Sequence, residues 1–198
     1  MDLLGLLILI IIIVILILSL YYSQIYTETN LVKIQSVVDN EYYLVRNRPD
    51  KLAASNVLAK IKINMKKLVN HLQINSDKFP EYMSYIKDLI SRTKVININE
   101  TPQDEKYTSY TINKGEKIVF CLRSKVIEQI HDMNTLMYVV IHEMGHVGCP
   151  EYGHTPLFKK IFKFLLEQSI VIGIYVPVDY RIKPKNYCGM TINEYLLD

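Results

Sequence analysis

The first 32 residues contain no lysine or arginine, and the whole chain of 198 residues has only three cysteines and seven glycines. Each scarcity excludes something. A cleaved secretory signal needs a basic segment ahead of its apolar core and a small-residue cleavage site after it; Asp2 is the only charge ahead of the apolar run, and no such site follows it. Small secreted scaffolds are stapled by an even set of cysteines, so Cys121, Cys149 and Cys188 point instead to a reducing compartment. There is no glycine-rich phosphate loop, which sets aside the usual nucleotide-binding turns, and no internal repeat, which sets aside solenoids. Charge of one sign is also scarce: the net charge is +3. The lysine clusters Lys60, Lys62, Lys66, Lys67 and Lys159, Lys160, Lys163 read as solvated helix faces, and no aromatic residues interleave them into a basic stripe. Nucleic acid is therefore a conceivable partner that the sequence does not indicate.

What the chain has in excess is one apolar run. Leu3–Leu20 is interrupted only by Gly5 and Ser19, and as a helix it reaches about 27 Å, close to the thickness of a bilayer core. Tyr21 and Tyr22 fit an interfacial aromatic pair. The expectation is a retained single-pass anchor, with a cleaved signal peptide as the competing reading. Lys33, Arg46 and Arg48 follow the run, and positive-inside counting then puts the C-terminal part on the cytoplasmic side. Asn99-Glu100-Thr101 is a glycosylation sequon, discounted because Pro102 follows it.

Leu31–Asn40 reads as a short helical or juxtamembrane segment. Val57, Leu58, Ile61, Met65, Leu68, Val69 and Leu72 recur at helical spacing and predict a helix over Asp50–Leu72. A second helix is expected over Lys78–Ser91, opening near Pro80. Asn97–Glu105 is polar, carries Pro102, and reads as a loop and a boundary. Tyr107–Ile112 and Lys117–Leu122 read as two strands joined by Asn113-Lys114-Gly115. This hairpin either holds an extended peptide on its edge or only covers the core.

The chemistry-bearing motif is His142-Glu143-Met144-Gly145-His146, with His154 eight residues further on. Positions i and i+4 share one helix face, so His142 and His146 can aim at one ion, and Glu143 can reach a water there as general base. A third ligand, His154, leaves a fourth tetrahedral position open, as in catalytic rather than structural zinc sites. Coincidence is the bland alternative. Context opposes it: Asp132 or Asn134 can cap a helix over Asp132–Val147, and Leu136, Met137, Val139, Val140, Ile141 and Met144 make that helix apolar on nearly every side. A polar end on a buried helix needs a partner. His154 precedes Thr155-Pro156, a capped helix start, and the following helix has one apolar face from Phe158, Ile161, Phe162, Leu165 and Leu166. An exposed loop histidine is the alternative for His154. Cys188 is not needed as a ligand. Tyr180 and Tyr187 are candidates for steadying an oxyanion, but tyrosines more often pack, and packing is the expectation.

The run His142–His146, then Gly153-His154, then Phe158 early in a helix, resembles the WLM and SprT-like zinc metallopeptidases. The resemblance spans Lys106–Leu166. It implies Zn²⁺ held by His142, His146 and His154, with Glu143 as catalytic base. It also implies an α+β fold with a small zincin-like domain, its hairpin sheet packed on the motif helix, and a protein or peptide substrate. Metzincins differ: their third histidine falls six residues after the second, so Met190 does not read as a Met-turn. The long C-terminal partner-binding tail of cellular DNA–protein crosslink proteases has no counterpart here, so their substrate does not carry over. The chain also resembles small membrane-anchored proteins of large eukaryotic DNA viruses, which implies a virion membrane as one location. The expected organisation is an anchor over 1–22, a helical region over 23–98 and a zincin-like domain over 99–198. Two rival readings are a membrane protein with a purely structural zinc and an envelope or interaction protein with a vestigial motif.

Overall fold

A computed structural model describes residues 3–29, 31–94, 97–103 and 108–197. The N-terminal run forms helix α1, Leu3–Thr29. Its stretch Leu4–Tyr22 has a mean hydropathy of 3.3 and buries nothing, so the helix is long and apolar enough to cross a membrane.

The next segment departs from expectation. Leu31–Asn40 is not helical: Leu31–Gln35 is strand β1, pairing antiparallel with β2, Tyr42–Arg46. The cause is a period of two. Val32 and Ile34 pack against the core with Tyr43 and Val45, which are buried. Asn56 fixes the turn, its Oδ1 accepting from Ser36 Oγ at 2.9 Å and from the Val37 N–H at 3.0 Å.

Helix α2, Lys51–Ile74, buries Ala54, Leu58, Ile61, Met65, Leu68 and Leu72, the stripe its periodicity predicts. Two single 3-10 turns, Ser76–Lys78 and Pro80–Tyr82, precede helix α3, Met83–Arg92. That helix begins five residues later than expected, since Pro80 opens a 3-10 turn before the α-helical register starts.

The polar stretch expected to be a loop contains a strand, β3, Asn97–Glu100. It runs parallel to β5, Lys117–Phe120, which pairs antiparallel with β4, Tyr110–Ile112. The order is β3-β5-β4, so β4 is an edge. Only Ile98 gives β3 an apolar anchor. Its hold is polar: the fully buried Glu100 carboxylate accepts from the Arg46 N–H at 2.8 Å and pairs with the buried Arg123 guanidinium. Arg123 also reaches Asp50 at 2.7 Å, tying the start of α2 to the sheet. Positions 104–107, including the expected strand start at Tyr107, lie outside the described residues.

Helix α4, Met133–Gly148, is capped by Asp132, whose carboxylate accepts from the Thr135 N–H at 2.9 Å and the Thr135 hydroxyl at 2.8 Å. Helix α5, Pro156–Val171, is capped by Thr155, which accepts from the Phe158 N–H at 3.2 Å. A C-terminal hairpin of β6, Lys185–Tyr187, and β7, Met190–Ile192, turns through Cys188 and Gly189, both at positive φ. Sequence reading gave no strands there. The chain is thus an α+β protein in which one hydrophobic core joins α2, β5, α4, α5 and the C-terminal hairpin. Residue 98, where the helical region was drawn to end, lies inside β3 and contributes to that core.

The cysteines correct an expectation. Cys121 and Cys188 form a disulfide, with Cα atoms 6.3 Å apart and a separation of 67 positions in sequence, and Cys149 is free and buried. The end of β5 and the turn of the C-terminal hairpin meet at bonding range, which no count of cysteines reveals. The odd total therefore gives no support to a reducing compartment.

Candidate metal centre

Helix α4 places His142 and His146 one turn apart at its C-terminal end, and α5 brings His154 back to them. The Nε2 atom of His154 lies 3.0 Å from that of His142 and 3.3 Å from that of His146. One nitrogen from each ring lies within 4.8 Å of the others. Two imidazoles bound tetrahedrally at zinc distance have nitrogens about 3.3 Å apart, so the three rings fit a single Zn²⁺. The rings are held, not merely near. Phe158 stacks on His146 with centroids 4.1 Å apart and meets His142 edge-on at 4.9 Å, while Phe162 meets His142 at 5.1 Å. Gly145 makes this possible: a Cβ there would lie 3.1 Å from the Phe158 ring. The glycine inside the motif is thus a packing requirement. Gly153, at φ +78, turns the chain into His154.

Burial, followed by the neighbouring histidines, pushes His142 down to about 3. Burial pushes His146 down to about 4, with His154 and the Lys114 ammonium adding to the effect. Both rings are therefore neutral at pH 7, the form that ligates a metal.

Glu143 is 5% exposed. Its Oε2 accepts from the Thr111 hydroxyl of edge strand β4 at 2.8 Å. Burial pushes this carboxyl up to about 7, against the opposing pull of the Thr111 bond. A carboxyl that titrates near neutrality is suited to taking and returning a proton. Glu143 and the three histidines open onto a groove of about 690 Å³, bounded by Tyr110 and Thr111 of β4, Tyr152 of the loop before α5, and Met190 and Ile192 of β7.

Tyr180 and Tyr187 are both buried. Tyr180 packs edge-on against Tyr138 at 5.0 Å. The Tyr187 hydroxyl donates to the Cys121 carbonyl at 2.7 Å and shares a second 2.7 Å hydrogen bond with Ser109. Cys188 is committed to its disulfide with Cys121 and is not among the three clustered histidine ligands. Thr111, Lys114 and the β7 wall of the groove were not anticipated. The hairpin around Asn113-Lys114-Gly115 was legible, but which of its side chains face α4 depends on a register that sequence does not print.

An α+β fold thus brings three histidines and a buried glutamate together on one helix–loop–helix as a candidate metal centre. The chain matches no protein-family model. It is 44% identical over 171 residues to uncharacterized protein R325 of Acanthamoeba polyphaga mimivirus, covering 86% of this chain and 87% of that one. It is 30% identical over 164 residues to uncharacterized protein 136R of Invertebrate iridescent virus 6, covering 79% and 86%. A match to protein 042R of Invertebrate iridescent virus 3 is shorter, 44% over 87 residues, covering 43% and 52%. The chain belongs to the family of these viral proteins. Among solved structures, that of Wss1 from Saccharomyces cerevisiae is similar at a TM-score of 0.46 and 24% identity, covering 65% of this chain and 85% of that one.

Proposed function

We propose that this protein is a membrane-anchored, zinc-dependent metallopeptidase that hydrolyses peptide bonds. The observation that carries this reading is the convergence of three histidine Nε2 atoms beside a buried glutamate that has no cationic partner among the described residues. His142, His146 and His154 would hold the ion. When bound, zinc supplies Lewis acidity, activating a water and polarising the scissile carbonyl. Glu143 accepts the proton of the attacking water and returns it to the leaving amine. Thr111 orients the Glu143 carboxylate from the edge strand. The open backbone of β4 offers pairing groups to an extended protein or peptide substrate along the groove. Helix α1 is retained as a single-pass anchor. Positive-inside counting of the basic residues that follow it favours a cytoplasmic-side domain, the Cys121–Cys188 disulfide counts against a reducing compartment, and similarity to viral proteins supports a virion membrane as its location.

The test is metal analysis of the full chain in detergent, followed by peptide hydrolysis with wild type and Glu143→Gln. One zinc per chain and cleavage that depends on Glu143 are expected. A variant as active as wild type on a verified substrate would transfer support to a structural zinc site.

A further inference from the structure

We propose that Lys114 is a positioning residue for His154, its ammonium gathering the loop that delivers the third histidine. This rests on the zinc reading above. The loop between His146 and His154 must reverse the chain from the end of α4 to the start of α5. Lys114, at the tip of the β4–β5 turn, donates to the Cys149 carbonyl at 2.8 Å and to the Glu151 carbonyl at 2.8 Å, with the Pro150 carbonyl at 3.4 Å. Its ammonium also lies 4.1 Å from the centre of the Tyr152 ring. Three consecutive carbonyls and the next side chain thus face one cation. A lysine ammonium has three donors and no acceptor, which suits that set.

The turn is built to hold the lysine there. Asn113 and Lys114 both sit at positive φ, 47° and 55°, a conformation asparagine tolerates in turns but lysine seldom adopts unless its surroundings impose it. The surroundings are visible: a Cβ on Gly115 would lie 3.0 Å from Val147 Cγ1, so the turn is pressed against the end of α4. Cys149 is the C-cap of α4, and the partial negative charge at a helix C-terminus favours a cation beside it. Lys114 thus couples the strand that carries Thr111 to the loop that carries His154.

Two effects of removing the ammonium oppose each other. A positive charge near a dication site weakens metal binding, so Lys114→Met relieves a repulsion. The same change leaves three carbonyls without their shared donor and frees the loop. Partners that orient a metal ligand are typically worth 10–100-fold in metal affinity, and the second effect dominates.

The experiment compares wild type and Lys114→Met as full chains in detergent, by zinc competition with a chelator, thermal unfolding of the metal-free forms, and amide exchange by mass spectrometry. The expected result is 10–100-fold weaker zinc binding, an unchanged metal-free unfolding midpoint, and faster exchange confined to residues 149–154. Equal or tighter zinc binding overturns the proposal. So does a weakening accompanied by a lowered midpoint and faster exchange throughout, which marks a general structural role. If wild type binds no zinc, the zinc reading fails, and exchange over residues 149–154 alone decides whether Lys114 orders the loop.

Discussion

Among the described residues, two glutamates lie almost wholly out of water, and they are treated in opposite ways. Glu100 is met by the Arg123 guanidinium, with Arg46 supplying its backbone N–H and a guanidinium nitrogen 3.7 Å away. Glu143 meets one neutral hydroxyl, Thr111, and the imidazoles nearest it along the helix are uncharged at pH 7. A buried carboxylate with its counter-charge is a fixed strut. One without a counter-charge keeps its proton near neutrality and is ready to trade it. The contrast separates architecture from chemistry within one small core.

The sharpest way to break the comparison is to neutralise each glutamate in turn. Glu143→Gln should lower peptidase activity by about 10²–10⁴-fold, read as kcat on a verified peptide. Its stability should hold or rise. A carboxyl whose folded pKa is raised costs stability above its unfolded value, and the amide removes that cost. Glu100→Gln should do the reverse: it removes the buried counter-charge of Arg123, leaving only the half-exposed Asp50, and should cost about 3 kcal/mol in denaturant unfolding. If Glu100→Gln unfolds like wild type, the strut reading is wrong.

Reduction of Cys121–Cys188 tests whether the sheet needs more than its ion pairs. Closing a loop of this length, 67 residues in sequence, is worth up to about 4 kcal/mol in the chain-entropy picture. The unfolding midpoint should fall accordingly with reductant, and a midpoint that does not move would mean the bond is not formed.

Thr111→Val sharpens the other side. It removes a bond to the ionised carboxylate, so the Glu143 pKa should climb above about 7 and the acid limb of the activity profile should shift to higher pH, with a loss of about tenfold near neutrality. An unmoved limb would show that the hydroxyl does not hold the carboxylate during turnover.

The smallest effect lies at the cap of α4. Burial works to raise the pKa of Asp132, but the Thr135 N–H, the Lys185 ammonium and the Thr135 hydroxyl bring it down to about 2. The folded value lies below the unfolded one, so this stabilisation is fully present above about pH 4 and is lost as pH falls through about 2. Asp132→Ala should cost about 1 kcal/mol at pH 7, and the difference from wild type should vanish in acid melts.

What the sequence disclosed followed from local rules. The helices α4 and α5 were legible because caps, periodicity and the Pro156 start all lie within a few residues of one another. The histidines and Glu143 came with them. Strand β3 was not legible, because its anchor is Glu100, whose partners Arg46 and Arg123 lie 54 and 23 residues away. Strand β1 was too short to display its alternation before β2 was seen to pair with it. The β6–β7 hairpin hides behind a Cys-Gly turn, and its disulfide partner is a strand away in the fold. Thr111 and Lys114 were visible as residues but not as contacts, since both reach into the site from a neighbouring element.

The capped start of α5 bears on how such motifs vary. Thr155 and Pro156 fix where that helix begins, and Phe158 clamps it to Gly145, so His154 travels with α5 as cargo on a docked strut. Its address in space is set by the docking of α5 together with the hold of Lys114 on the loop, not by the number of residues since His146. Lys114 grips the loop through the Glu151 carbonyl and the Tyr152 ring. Gly153, at φ +78, turns the chain from that grip into His154 and the capped helix start. An interval of eight rather than six is then a property of the tether, and the coordination geometry is indifferent to it.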